Sequence, residues 1–128
     1  MESAGTDPKQ NNPPMQDCIF CRIASGQIKA KVVYQDQQVV AFRDINPQAP
    51  VHILIIPKKH IERFSLMREE DFPLLQDIHR AAQIVAKSEN LIQEGFRIVT
   101  NEGKNGGQSV EHLHYHVLGG RPLSWPPG

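Results

Sequence analysis

A chain of 128 residues has room for one domain. Hydrophobic residues make up 39% of it, enough for a core, and 14 basic residues balance 14 acidic ones, so a nucleic acid or an anionic membrane surface, which both reward a basic patch, is not the default partner. No apolar run approaches the ~20 residues of a membrane span, residues 1–16 lack the apolar stretch of a signal peptide, and one closely spaced cysteine pair is no disulfide framework; a reducing, cytoplasmic setting is expected.

Residues 1–16 are polar and rich in Pro and Asn. They have almost nothing to bury and are expected to be a disordered tail before a domain spanning 17–128. Asp17 is a candidate N-cap for a short helix through Cys18, Phe20 and Ile23, ending near Gly26. Lys31–Gln35 and Val39–Arg43 are β-rich runs separated by three polar residues, which suits a hairpin. Pro47 and Pro50 enclose a loop. Val51–Ile56 is a nearly continuous apolar strand closed by Pro57. Ser65 with Glu69 and Glu70 announces a long helix reaching about Asn90, with Pro73 tolerable only in its first turn. Leu74, Ile78, Ala81 and Val85 form its apolar stripe, and Phe72, Leu75 and Ala82 lie outside that stripe, available for a second contact. Phe96–Thr100 is a further strand. A glycine-rich turn over 101–107 leads into the last strand. The order predicts an α+β fold: an antiparallel sheet of about five strands with one short N-terminal helix and one long helix.

That last run reads His112-Leu113-His114-Tyr115-His116-Val117. As a strand it sets three imidazoles on one face, roughly 6.5–7 Å apart, and Leu113, Tyr115 and Val117 on the other. A single strand histidine is usually just a satisfied polar side chain; three at period two suggest chemistry. Three imidazoles plus water can make a catalytic zinc. Alternatively one imidazole attacks while the others hold the substrate. Spacing alone leaves both open. Gly106-Gly107-Gln108-Ser109 before the run and Gly119-Gly120 after it permit close backbone approach, which suits a phosphate.

The run matches the His-φ-His-φ-His-φ-φ signature (φ apolar) of the histidine triad nucleotide-binding family. Phe42–Pro50, His52–His60, Asn101-Glu102-Gly103, Gly107-Gln108-Ser109 and Trp125-Pro126-Pro127-Gly128 further resemble its Hint branch, in order and spacing, over about residues 17–128. The nucleotidyl-transferase branch is similar but carries Gln in the last histidine place, so His116 points to hydrolysis. Glu111 departs from the pattern, where an aromatic is usual.

The resemblance implies a purine nucleoside phosphoramidase: a hydrolase cleaving the P–N bond of nucleoside phosphoramidates or adenylylated amines and releasing the nucleoside monophosphate. His114 is the implied nucleophile, its tautomer fixed by the His112 carbonyl. His116 is implied to hold the phosphate and His52 to support it. Asn101 and Ser109 are implied contacts of the phosphate or leaving group, and Asp44 of the ribose hydroxyls. Phe20, Ile23, Phe42, Ile45 and Leu54 are implied to line the base pocket. Asp44 and Asn101 are also ordinary turn residues, and the five apolar residues are ordinary core. A homodimer is implied, its long helix and Phe96–Thr100 strand pairing into a continuous sheet, with Trp125 near the neighbouring site. The competing functions are a non-catalytic nucleotide-binding or protein-interaction adaptor and a zinc hydrolase with the triad as metal ligands.

Cys18 and Cys21 lie on one helix face. A redox pair is disfavoured because no βαβ unit precedes it; inert buried thiols and half a zinc site remain. The resemblance implies the latter, with His60 and His112 completing a Cys2His2 structural zinc that the chemistry itself does not require.

Overall fold

The computed structural model describes residues 17–128, so the tail expected over residues 1–16 lies outside the described residues. Helix α1 (Ile19–Ala24) is followed by strands β1 (Val32–Gln35), β2 (Val39–Arg43) and β3 (Val51–Pro57). Two 3-10 turns (Phe64–Leu66 and Glu69–Asp71) precede the long helix α2 (Pro73–Ser88), and β4 (Phe96–Thr100), a one-turn helix α3 (Gly103–Gly106) and β5 (Tyr115–Gly119) complete the chain. The strands form one antiparallel sheet in the order β1-β2-β3-β5-β4, the α+β architecture that the alternation of patterns predicts. No helix among the described residues is long and apolar enough to cross a membrane.

Both sheet faces are covered, which explains why β3 has no polar alternation. Ile53 and Ile55 face α2, packing with Ile78, Ala81 and Val85 of the predicted stripe and with Leu113, Tyr115 and Val117. Leu54 and Ile56 face the other way, against Phe20, Val40, Phe42 and the two cysteines. Gly119 in β5 lets Leu91 pack closely, since a Cβ there would meet Leu91 Cδ2 at 2.7 Å and push that side chain aside.

Four expectations are corrected. The N-cap of α1 is Cys18 rather than Asp17: the Cys18 sulfur accepts from the Cys21 amide at 3.4 Å. The long helix begins at Pro73 rather than near Ser65. Ser65 donates its amide and hydroxyl to the Glu102 carboxylate, and the amides that a Ser65 cap would accept from are taken, that of Met67 by the Phe64 carbonyl and that of Arg68 by buried Asp71, which also binds Lys59. Pro73 is then at the first helical position, where a missing N–H leaves nothing unsatisfied. Ala82 is buried in the core rather than free for a second contact, whereas Phe72 is exposed. Finally, regular strand structure in the histidine run starts only at Tyr115, because the Leu113 amide turns to the Ile61 carbonyl at 2.7 Å.

Candidate histidine and metal sites

The segment before the histidines is held by one side chain. Gln108 accepts from the Gly103 amide at 3.0 Å and donates to the carbonyls of Glu62 and Val110, each at 2.9 Å. Gly107 precedes it with φ +78°, a left-handed conformation that favours glycine. The chain then enters His112 and His114 as irregular backbone and His116 as β5. The alternation survives: Leu113, Tyr115 and Val117 are buried against α2, and all three imidazoles lie on the α1 side of the sheet.

The three imidazoles are nevertheless unequal, and backbone partners assign their tautomers. A carbonyl can only accept, so His114, whose Nδ1 lies 2.7 Å from the His112 carbonyl, donates from Nδ1 and keeps its lone pair on Nε2. The Gln48 amide donates to His52 Nδ1 at 3.0 Å, which puts the His52 proton on Nε2. That proton is given to His116 Nδ1 at 2.9 Å, so neutral His116 keeps its own proton on Nε2. The pair thus offers a lone pair from His114 beside an N–H donor from His116, ring centroids 5.1 Å apart.

Burial favours these neutral forms. It pushes the His116 imidazolium down to about 4, helped by repulsion from His114 and His52 and opposed by Asp44. Burial also lowers His52, against the pull of Asp44 3.5 Å away, and lowers His114, against its bond to the His112 carbonyl. The consequence for His116 and His52 has a definite sign. Unfolded, each titrates near 6.5; folded, each titrates lower. Between those values the unfolded chain binds more protons, so stability falls as pH drops below about 6.5 and, for His116, keeps falling toward about 4. Urea unfolding at pH 7.5 and pH 5 should show a loss on the order of 1 kcal/mol, the full shift being discounted for the solvent that reaches His116, and a smaller loss in His116→Gln; equal stability at the two pH values contradicts the assignment.

A pocket of about 350 Å³ opens on this pair. Its apolar wall includes Phe20, Ile23, Phe42, Ile45 and Leu54, and its polar end holds Asp44, Ser109, His114 and His116. Phe20 stands edge-on to both His114 and Phe42, at 5.1 and 5.7 Å. Ile45, 98% exposed, hangs at the rim rather than packing as core. His52 lies behind His116 and reaches the pocket only through it. Asn101 is not among the lining residues; it follows Thr100, whose hydroxyl donates to the His114 carbonyl at 2.9 Å. Ile28, Lys29 and Ala30 also line the pocket. They sit in an irregular link that carries no sequence motif. Nor does any motif mark the Gln48 amide, which acts through its backbone.

His112 turns away to a second cluster. Cys18, Cys21, His60 and His112 are all buried, with donor atoms within 4.8 Å of one another. The two imidazole Nδ1 atoms are 3.2 Å apart, and three sulfur–nitrogen distances run 3.2, 3.4 and 3.6 Å. A tetrahedral zinc with bonds of about 2.3 Å to sulfur and about 2.05 Å to nitrogen requires separations of about 3.3 Å (N···N) and about 3.6 Å (S···N), so the cluster fits. His112 Nε2 donates to the Pro57 carbonyl at 2.9 Å, leaving Nδ1 as a lone pair, the outer hydrogen bond a metal-binding imidazole uses. Burial pushes the Cys18 thiol up, but its close contacts with the His112 and His60 imidazoles and the Cys21 amide outweigh this and bring it to about 5, favouring the thiolate. Asp44, His52 and His116 also gather donor atoms within 4.8 Å, but the His52–His116 contact at 2.9 Å is a hydrogen-bond distance.

The pattern has counterparts elsewhere. The HIT domain family model matches residues 25–123. The chain is 50% identical over 114 residues to a 14 kDa zinc-binding protein of Brassica juncea, covering 88% of this chain and 100% of that one. Among solved structures, a HIT family hydrolase from Legionella pneumophila matches with a TM-score of 0.85 at 50% identity, over 88% of this chain and 100% of that chain. A histidine triad nucleotide-binding protein from Candida albicans matches at 0.74 with 29% identity, over 86% of this chain and 83% of that chain. Sequence, sheet order and histidine cluster agree, and the chain belongs to the HIT domain family.

Proposed function

We propose that this chain is a purine nucleoside phosphoramidase of the Hint branch. The observation that carries the proposal is the tautomer pair: an unprotonated His114 Nε2 beside a His116 Nε2–H at the polar end of an apolar-walled pocket. The base packs against Phe20, Ile23, Phe42 and Leu54, and Asp44 accepts from the ribose hydroxyls. His116, steadied by His52 and the Gln48 amide, donates to a phosphate oxygen. Ser109, at the mouth, faces the leaving group, and Asn101 steadies the same end. His114 Nε2 attacks the α-phosphorus; the N–P bond forms as the P–N bond of the substrate breaks, and the amine leaves with a proton drawn from solvent at the pocket mouth. Water then attacks the nucleotidyl-histidine and returns one proton to solvent, releasing the nucleoside monophosphate and restoring neutral His114. His112 supplies its carbonyl to His114, while its side chain joins Cys18, Cys21 and His60 in holding a structural zinc. A zinc hydrolase reading leaves the Cys18–Cys21 pair unused and uses His112 twice.

Incubation with adenosine 5′-phosphoramidate tests this reading. It should release AMP in the presence of EDTA, and rapid quenching should trap adenylylated His114. No AMP at any pH from about 5 to 8 defeats the enzyme reading; AMP binding without turnover favours an adaptor.

The acting form is further proposed to be a homodimer. Phe96 and Ile98 on edge strand β4 are exposed beside α2, as is Phe72. Burying these on a second copy is favourable by roughly 25 cal/mol per Å². The Arg97 guanidinium donates to the Ser124 carbonyl at 2.7 Å and so holds the terminal segment, with Trp125 81% exposed, alongside β4. Sedimentation should give a dimer, and Ile98→Glu should dissociate it; a fully active wild-type monomer contradicts this.

A further inference from the structure

A second and larger cavity, about 600 Å³, adjoins the nucleotide pocket. The two share Lys29, Ala30, Arg43, Asp44 and Ile45, so they meet at the carboxylate proposed to hold the ribose. Beyond the shared residues the larger cavity is lined by Lys31, Pro47, Pro50 and His52, the histidine that bonds to His116. Its charge is distinctive in a chain with no net charge. Three cationic side chains line it against one carboxylate. Arg43 is committed to Glu89 through two bonds, at 3.0 and 2.9 Å. Lys29 and Lys31 are exposed, and their ammonium groups have no hydrogen-bond or ion-pair partner among the described residues. Lys31 is anchored where it is needed, its carbonyl accepting from the Arg43 amide at 3.0 Å.

We infer that the groove at Lys29 and Lys31 is an anion subsite for a phosphate carried on the 2′ or 3′ oxygen of the bound ribose, so that ribose-phosphorylated nucleotides are the preferred ligands. This deepens the nucleotide-hydrolase reading and rests on it. A 5′-nucleotide with its phosphate at His114 and His116 and its ribose at Asp44 directs the 2′,3′ edge into this cavity. A substituent there leaves Asp44 one hydroxyl to hold and meets two ammonium groups. A phosphate monoester is the better match than a diester, because its second negative charge is what two unpaired lysines reward.

The test is calorimetric titration of the zinc-loaded chain with AMP, adenosine 3′,5′-bisphosphate, adenosine 2′,5′-bisphosphate and the dinucleotide pApA. At about 20 mM salt one bisphosphate should bind about fivefold more tightly than AMP, the gain expected of two solvent-exposed charge contacts, and the advantage should shrink at high salt. Lys31→Gln should reduce that advantage while leaving AMP affinity unchanged. The inference is overturned if AMP binds and neither bisphosphate binds more tightly, if the advantage survives in Lys29→Gln/Lys31→Gln, or if pApA matches the better bisphosphate, which points to a nucleic-acid end instead. Failure of AMP itself to bind removes the underlying nucleotide reading, and the subsite with it.

Discussion

Replacement of His114 by alanine is expected to lower nucleoside monophosphate release from adenosine 5′-phosphoramidate by about 10⁴-fold or more, the scale of losing a nucleophile. AMP binding should change little, because the apolar wall and His116 remain. His116→Gln should fall between the two. It keeps an acceptor for the His52 N–H and an N–H for the phosphate, but on a more flexible side chain that does not hold the imidazole geometry, so a loss of about 10²-fold is expected, mostly in kcat. His52→Gln breaks the same chain one bond earlier and should resemble it. The comparison separates the enzyme from an adaptor: nucleotide binding alone does not need His114 Nε2 unprotonated. If His114→Ala retains wild-type turnover, the lone-pair assignment has no chemical consequence and the mechanism is wrong.

Loss of the Cys2His2 cluster is expected to have the second large effect. The protein purified without added metal should carry about one zinc per chain. Cys21→Ser removes a ligand that packs at 1% exposure and lies 3.2 Å from His60 Nδ1. It should release the metal and lower the thermal midpoint by about 10 °C, corresponding to roughly 3 kcal/mol in a domain of this size. The effect should reach the pocket, because α1 carries both cysteines and also Phe20 and Ile23. His112 connects the sites a second way: its ring belongs to the cluster and its carbonyl holds His114 at 2.7 Å. AMP affinity should therefore drop about tenfold on metal loss, read by titration rather than turnover. Stoichiometric removal of zinc with no change in thermal midpoint counts against a structural role.

The two effects are distinguishable. Chelation acts slowly through a buried cluster, so brief EDTA treatment should leave turnover intact. A zinc held by the histidine triad itself would instead be open to substrate and chelator, and activity would vanish at once. The pH behaviour adds an independent check. His116 and His52 are kept neutral by burial, so acidification weakens the fold and extinguishes the His116–His52 hydrogen bond together. Loss of activity on the acid side should therefore follow loss of stability rather than precede it.

Much of this was legible in the residues. The strands and their succession along the chain follow from the apolar runs, whereas the sheet order that sets β5 between β3 and β4 does not. The stripe of Leu74, Ile78, Ala81 and Val85 marks the helix that covers one face, and the period-two alternation assigns Leu113, Tyr115 and Val117 to that core. Helix starts are less legible. Ser65 and Asp17 have the chemistry of caps, but a cap works only where an unpaired amide faces it, and the amides of Met67 and Arg68 are taken by Phe64 and Asp71. The histidines show the same division. The order of residues specifies that imidazoles recur at every second position and that two thiols sit one helical turn apart. What each imidazole does depends on its neighbours in the folded chain. The fold brings His60 and the α1 thiols to His112, the Gln48 amide to His52, and the wall of Phe20 to His114. A side-chain period specifies a face, whereas a tautomer is specified by the one backbone donor or acceptor that the fold brings within about 3 Å.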